Sequence, residues 1–248
     1  DNLAIFGVAR QYRHPEPRGF DRGRLREGSH TPPEADAPLA HNVGRPAMAG
    51  RDSSVSPQND RKAKGHIITT NFEHQAVLNP CEVLQKEGYE VTYLKVDRDG
   101  LITPEQLKTT IRPDTLLISI MYANNEIGTI QPIAELARAL QEKKKEMGRK
   151  SNDPPFFHTD ACQAAGYLDI DVKRLGVDLM TINGSKIYGP KGTGALYVRR
   201  GLRLKPFIYG GGQEFGLRSG TENVAGIVGL ARALEEITSV RDCEITRA

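Results

Sequence analysis

Lys186 stands in the run TINGSKIYGPKGTG, residues 181–194, with Asn183, Gly184 and Ser185 before it and Gly189, Pro190, Gly192 and Gly194 after it. Upstream, the short apolar run that starts at Phe156 opens into Asp160 and then Gln163. An amine and a carboxylate at the ends of two successive strands are what pyridoxal phosphate chemistry requires. The lysine forms the imine that holds the cofactor, and the carboxylate keeps the ring nitrogen protonated so that the ring draws electrons. Other readings of the same residues stay open at this level. Lys191 is a second amine in the same loop, and Asp160 has the context of a helix N-cap. His74, ahead of an apolar helical stripe, has the context of a capping residue, and paired asparagines such as Asn124 and Asn125 commonly build turns.

The elements that must position these groups follow from periodicity. Residues 66–70, 89–94, 115–121, 156–159, 178–183 and 194–198 read as short strands. Residues 2–12, 73–87, 103–112, 132–145, 171–175 and 223–237 read as helices, with Gly88 a terminator and Gly7 a weak point. The stretch TLLISIM at 115–121 is apolar enough for a parallel strand buried on both faces. The charged tail EKKKE at 142–146 reads as a solvated face. Alternation of β and α elements predicts a layered α/β architecture with its ligand crevice at the strand ends.

Residues 14–64 break the pattern. They hold seven prolines, many charges and almost no periodic apolar positions. Such a segment cannot offset its ordering entropy by burial, so disorder is expected there. Thirty-four basic against 31 acidic residues give a net charge of +3, which supplies no argument for nucleic acid or a membrane surface as partner. No run approaches the length of a membrane span. Three cysteines without paired spacing argue against a disulfide framework or a zinc site and fit a reducing compartment. The first residues read as the inside of a helix rather than as a signal peptide.

Five blocks, HIITTNFEHQAVL, YANNEIGTIQPI, FFHTDACQAAG, SKIYGPKGTGALYVRR and GGGQEFGLRSGTEN, occur in this order between residues 65 and 237. In them the chain resembles the class V cysteine desulfurases that supply sulfur for iron–sulfur clusters. The resemblance implies the large domain of the aminotransferase-like fold (fold type I), α/β with a mostly parallel sheet, truncated at both ends. Residues 1–13 would be a partial helix of that domain and 65–237 its cofactor-binding body, with 238–248 opening the C-terminal region. It implies pyridoxal 5'-phosphate as cofactor and conversion of L-cysteine to L-alanine with transfer of sulfane sulfur. Selenocysteine lyase, another class V enzyme, or a non-catalytic dimerisation or scaffold-binding homologue are the alternatives.

The same resemblance assigns roles. Lys186 would anchor the cofactor and move the substrate α-proton, and Asp160 would pair with the ring nitrogen. Gln163 and Asn125 would contact the phenolic oxygen, and His74 would stack on the ring and assist proton transfer. Thr221 would reach the phosphate of a partner subunit, which implies a homodimer. Iron–sulfur scaffold and sulfur-acceptor proteins would be the partners, in the bacterial cytoplasm or the mitochondrial matrix. Two positions depart from the family pattern, which has histidine where Ser185 stands and serine where Asn183 stands; both residues can still donate hydrogen bonds to the phosphate. The family's phosphate loop would lie upstream of Asp1, and its persulfide cysteine and substrate-gripping arginine beyond Ala248. Neither Cys81, Cys162 nor Cys243 is expected to replace that cysteine, so the chain alone is expected not to turn over cysteine.

Overall fold

The computed structural model describes residues 1–13 and 63–245. All but the last two positions of the insertion expected at 14–64 therefore lie outside the described residues. In order come α1 (Asn2–Tyr12), β1 (His66–Thr70), α2 (Gln75–Lys86), β2 (Glu90–Leu94), α3 (Pro104–Thr110) and β3 (Thr115–Ser119). These are followed by α4 (Ile133–Glu146), β4 (Phe156–Asp160), α5 (Val172–Leu175), β5 (Leu179–Asn183), β6 (Gly194–Val198) and α6 (Val224–Ile245).

The six strands form one sheet in the order β2-β1-β3-β4-β5-β6. The first five are parallel, and β6 runs antiparallel to β5. Every residue of β1, β3 and β4 is buried, because helices cover both faces. Ile67, Leu117, Phe156 and Leu179 face α1 and α2, where Ile5, Val8, Val77 and Leu84 complete one core. The next residue on each strand, Ile68, Ile118, Phe157 and Met180, faces α3 and α4 through Leu107, Leu136 and Leu140. A fully buried side chain of this size contributes about 1.5–3 kcal/mol, so the two cores dominate what holds the strand ends in place.

Gly7 does not break α1. A Cβ there would stand 3.2 Å from both Leu204 Cβ and the Lys205 carbonyl, so the missing side chain is what lets the 204–205 segment pack on the helix. Helix α6 runs through position 237 without interruption to Ile245. The residues after Asp160 form turns rather than the helix that a capping role would require.

Lys144 corrects the reading of EKKKE as wholly solvated. It is 1% exposed, its Nζ donates to the Ser151 carbonyl at 3.0 Å, and it lies 5.4 Å from the Phe156 ring centroid. The same carbonyl accepts from Arg199 Nη2 at 2.9 Å, and Arg199 also pairs with the buried Asp178. The loop between α4 and β4 is thus stapled to the foot of the sheet.

Two buried histidines tie the strands laterally. His66 on β1 bonds Thr115 Oγ1 through Nδ1 and Thr92 Oγ1 through Nε2, both at 2.9 Å. His158 on β4 reaches Ser119 Oγ at 2.8 Å and Thr181 Oγ1 at 2.9 Å. Burial holds both rings in the neutral form, with His66 pushed down to about 4 and His158 well below its ordinary value.

Candidate active site

The sheet order makes β1, β3, β4 and β5 consecutive neighbours, so the loops leaving their C-terminal ends lie along one edge. His74 follows β1, Asn125 follows β3, Asp160 and Gln163 end and follow β4, and Asn183, Ser185 and Lys186 end and follow β5. Residues up to 112 positions apart in the chain are brought to one edge of the sheet, the end at which ligands of open parallel sheets bind.

The lysine loop is a single 3₁₀ turn, Gly184–Lys186, closed from outside by Thr193. Gly184 N–H donates to the Thr193 carbonyl, and the Gly184 carbonyl accepts from Gly189 N–H, both at 2.9 Å. A Cβ at Gly184 would sit 2.5 Å from Thr193 Oγ1 and 2.9 Å from the Pro190 carbonyl, so no other residue fits without moving the loop. Tyr188, two residues past the lysine, takes φ 61°, a conformation non-glycine residues seldom adopt outside functional or strained turns. Lys186 itself is exposed.

Asn183 caps the turn. Its Oδ1 accepts from the Ser185 backbone N–H at 2.8 Å and from the Ser185 hydroxyl at 2.7 Å. The expectation that both side chains stand ready as phosphate donors is corrected here. The Ser185 hydroxyl is committed inside the turn, and of the pair only Asn183 Nδ2 remains uncommitted.

Asp160 is 5% exposed and closes β4, with its Oδ1 accepting from Cys162 N–H at 2.9 Å. Among the described residues it forms no ion pair. A buried carboxylate is the partner a protonated ring nitrogen needs. Burial pushes the Cys162 thiol up and Asp160 pushes it further by charge and hydrogen bonding, against the Asp1 ammonium and then Lys186. Gln163, half-buried, and Asn125, exposed, keep their amides free of hydrogen bonds among the described residues. An anionic, partly aromatic cofactor with a basic ring nitrogen fits this donor set.

His74 is the cap that its sequence context allowed. Nδ1 accepts from Ala76 N–H at 3.1 Å and so caps α2, while the residue is exposed and Nε2 has no hydrogen bond among the described residues. The asparagine pair divides its labour. Asn124 is buried and builds the turn, accepting at Oδ1 from the N–H groups of Glu126 and Ile127 and donating from Nδ2 to the Phe72 carbonyl at 3.0 Å. Asn125 is thereby left free. Thr221 lies exposed on the loop before α6, outside the strand-end cluster and with no hydrogen bond among the described residues.

Sequence reasoning missed Glu73 and His158. The signal for Glu73 was a carboxylate directly before His74 on a turn between two buried elements; for His158 it was a polar residue following the apolar pair Phe156 and Phe157.

The family description Aminotransferase class-V matches residues 53–247. The chain is 52% identical over 182 residues to cysteine desulfurase IscS of Dictyoglomus turgidum, covering 73% of this chain and 44% of that protein. It is 51% identical over 174 residues to the IscS of Methanosarcina thermophila, covering 70% and 41%. Among solved structures, a NifS-like protein aligns with a TM-score of 0.66 at 43% identity, over 74% of this chain and 47% of the other. SspA in complex with cysteine aligns with a TM-score of 0.62 at 46% identity, over 69% and 47%. The chain thus spans less than half the length of these relatives.

Proposed function

The chain belongs to the class-V aminotransferase family, and we propose on that footing that its strand-end crevice is the cofactor site of a pyridoxal phosphate-dependent cysteine desulfurase. The observation that carries the reading is the placement of a buried carboxylate, Asp160, at the end of β4 and of the Lys186 amine on the turn that leaves the neighbouring strand β5.

When bound, pyridoxal phosphate supplies an electrophilic carbon and an electron-withdrawing ring. Asp160 holds a proton on the ring nitrogen by its charge. His74 would lie against the ring, and the free amides of Asn125 and Gln163 would donate to its phenolic oxygen. Asn183 Nδ2 takes part of the phosphate. Lys186 Nζ holds the cofactor and, once released, accepts the proton from the substrate α-carbon.

The substrate is L-cysteine and the products are L-alanine and sulfane sulfur, the latter passed through sulfur-acceptor and scaffold proteins toward iron–sulfur clusters. The complete protein works as a homodimer in which Thr221 serves the partner's phosphate, in the cytoplasm or the mitochondrial matrix. Cys81 and Cys162 do not carry the persulfide, since both thiols are pushed up by burial and a thiolate is the nucleophile.

Adding pyridoxal phosphate to the purified chain should produce a visible absorption band that borohydride erases. Lys186→Ala should abolish the borohydride-sensitive form. A wild-type chain that develops no such band, or a Lys186→Ala chain that keeps it, would overthrow the reading.

A further inference from the structure

Glu73 immediately precedes His74, is 5% exposed, and belongs to neither core. Its Oε1 accepts two hydrogen bonds, from Met121 N–H just beyond β3 at 2.7 Å and from the Thr70 hydroxyl at the end of β1 at 2.9 Å. Its Oε2 is fully buried and finds no partner among the described residues. The bond to Met121 and the bond from Asn124 Nδ2 to the Phe72 carbonyl are two stitches between the same segments, the turn that carries His74 and the loop that carries Asn125.

We propose that Glu73 is a positioning residue of the cofactor site, a neutral carboxylic acid that pins the His74 turn to the end of β3 and so sets the imidazole against Asn125. The inference rests on the cofactor site proposed above. It follows from what surrounds the carboxyl. Among the described residues no cation acts on it, the one charge that does is the Asp160 carboxylate of β4, the Cys81 thiol of α2 is coupled to it, and the two donors on Oε1 leave Oε2 without compensation. An ionised carboxylate in that setting is disfavoured twice, by the loss of water and by a like charge. Burial, and then Asp160, raise the group from 4.5 to about 8 against the opposing hydrogen bonds from Met121 and Thr70. A neutral acid can keep both bonds on Oε1 and stand next to Asp160 without repelling it. That leaves Asp160 as the single negative charge for the ring nitrogen.

The sign of the pH dependence separates this role from a charged one. Because the folded-state value lies above the unfolded one, the stabilisation is complete below about 4.5 and is lost as pH rises through about 8. Glu73→Gln keeps the shape and the Oε1 acceptor and cannot ionise, so it escapes that loss. The test compares wild type, Glu73→Gln and Glu73→Ala in the whole chain. Thermal unfolding without cofactor should show Glu73→Gln gaining on wild type as pH rises from about 5 to about 8.5, the histidines cancelling from the comparison. A difference that stays flat across that range would overturn the neutral acid. Titration with pyridoxal phosphate at neutral pH should find Glu73→Gln within about threefold of wild-type affinity and Glu73→Ala at least about tenfold weaker. Equal affinity for wild type and Glu73→Ala, or equal weakness of both variants, would overturn the positioning role. A wild-type chain that binds no cofactor defeats the proposed function instead, and the unfolding comparison still decides the state of the acid.

Discussion

His158 Nε2 and Thr181 Oγ1 are joined by a 2.9 Å hydrogen bond across β4 and β5, at the strand ends that carry Asp160 and lead into the Lys186 turn. The other ring nitrogen holds Ser119 on β3. One imidazole therefore ties together the three strands whose ends build most of the crevice, and it does so on the same sheet face as Asp160, two residues along the strand.

Replacing His158 by leucine should leave the fully buried Ser119 hydroxyl without its partner, at a cost of about 1–3 kcal/mol for that group alone. Urea denaturation reads this as a lower midpoint with an unchanged slope. A midpoint equal to wild type would show that the ring is not the tie between these strands.

Acid should destabilise the chain above the range where its carboxylates titrate. His66 is lowered by burial from 6.5 to about 4, and His158 further, so each folded ring resists a proton that the unfolded chain accepts. Their stabilisation is complete above about pH 6.5 and is lost as pH falls toward about 4. Melting temperatures from pH 7.5 downward should decline through this window, and His66→Asn should flatten part of the decline. The pH values bound a trend set by two histidines, each at about one proton.

Cys81 and Cys162 should alkylate slowly in the native chain at neutral pH and quickly in denaturant. Burial pushes Cys81 up to about 12, with Glu73 adding to it, and raises Cys162 with Asp160 adding to it. Peptide mass spectrometry after iodoacetamide treatment measures the contrast. Rapid native labelling of Cys162 would contradict the packing role and restore it as a nucleophile.

Gly184→Ala should disturb the lysine turn while leaving the rest of the sheet intact. Its Cβ meets Thr193 Oγ1 at 2.5 Å and the Pro190 carbonyl at 2.9 Å, and the second is backbone that cannot rotate aside. The expected cost is about 1–3 kcal/mol, with a larger proportional loss of pyridoxal phosphate binding than of unfolding temperature. Wild-type affinity in this variant would show that the turn is not held to one conformation.

Much of this arrangement was legible before any coordinate. Glycines at 184, 189, 192 and 194 around one lysine announce a tight loop, and the buried strands β3 and β4 stand out as short apolar runs. Thr103 and Asp171 announce helix starts and do cap α3 and α5. Which asparagine of the pair is free was not legible, because Asn124 and Asn125 are chemically alike and differ only in which one meets the Phe72 carbonyl. Nor was the fate of Lys144, whose neighbours Lys143 and Lys145 are more exposed and whose own burial depends on a loop carbonyl and a ring on β4.

The sequence by itself determined the order of strands and helices, the turn that presents Lys186 and the carboxylate that ends β4. Those rest on periodicity, glycine freedom and capping, which act over a few residues and leave their trace in the local string. Only the tertiary structure decided that Ser185 turns inward to Asn183, that His158 bridges three strands, and that Glu73 is enclosed beside Asp160 with one oxygen unpaired. Burial and the pairing of polar groups are set by neighbours tens of residues away, and the water they exclude is a property of the packed layers rather than of any segment.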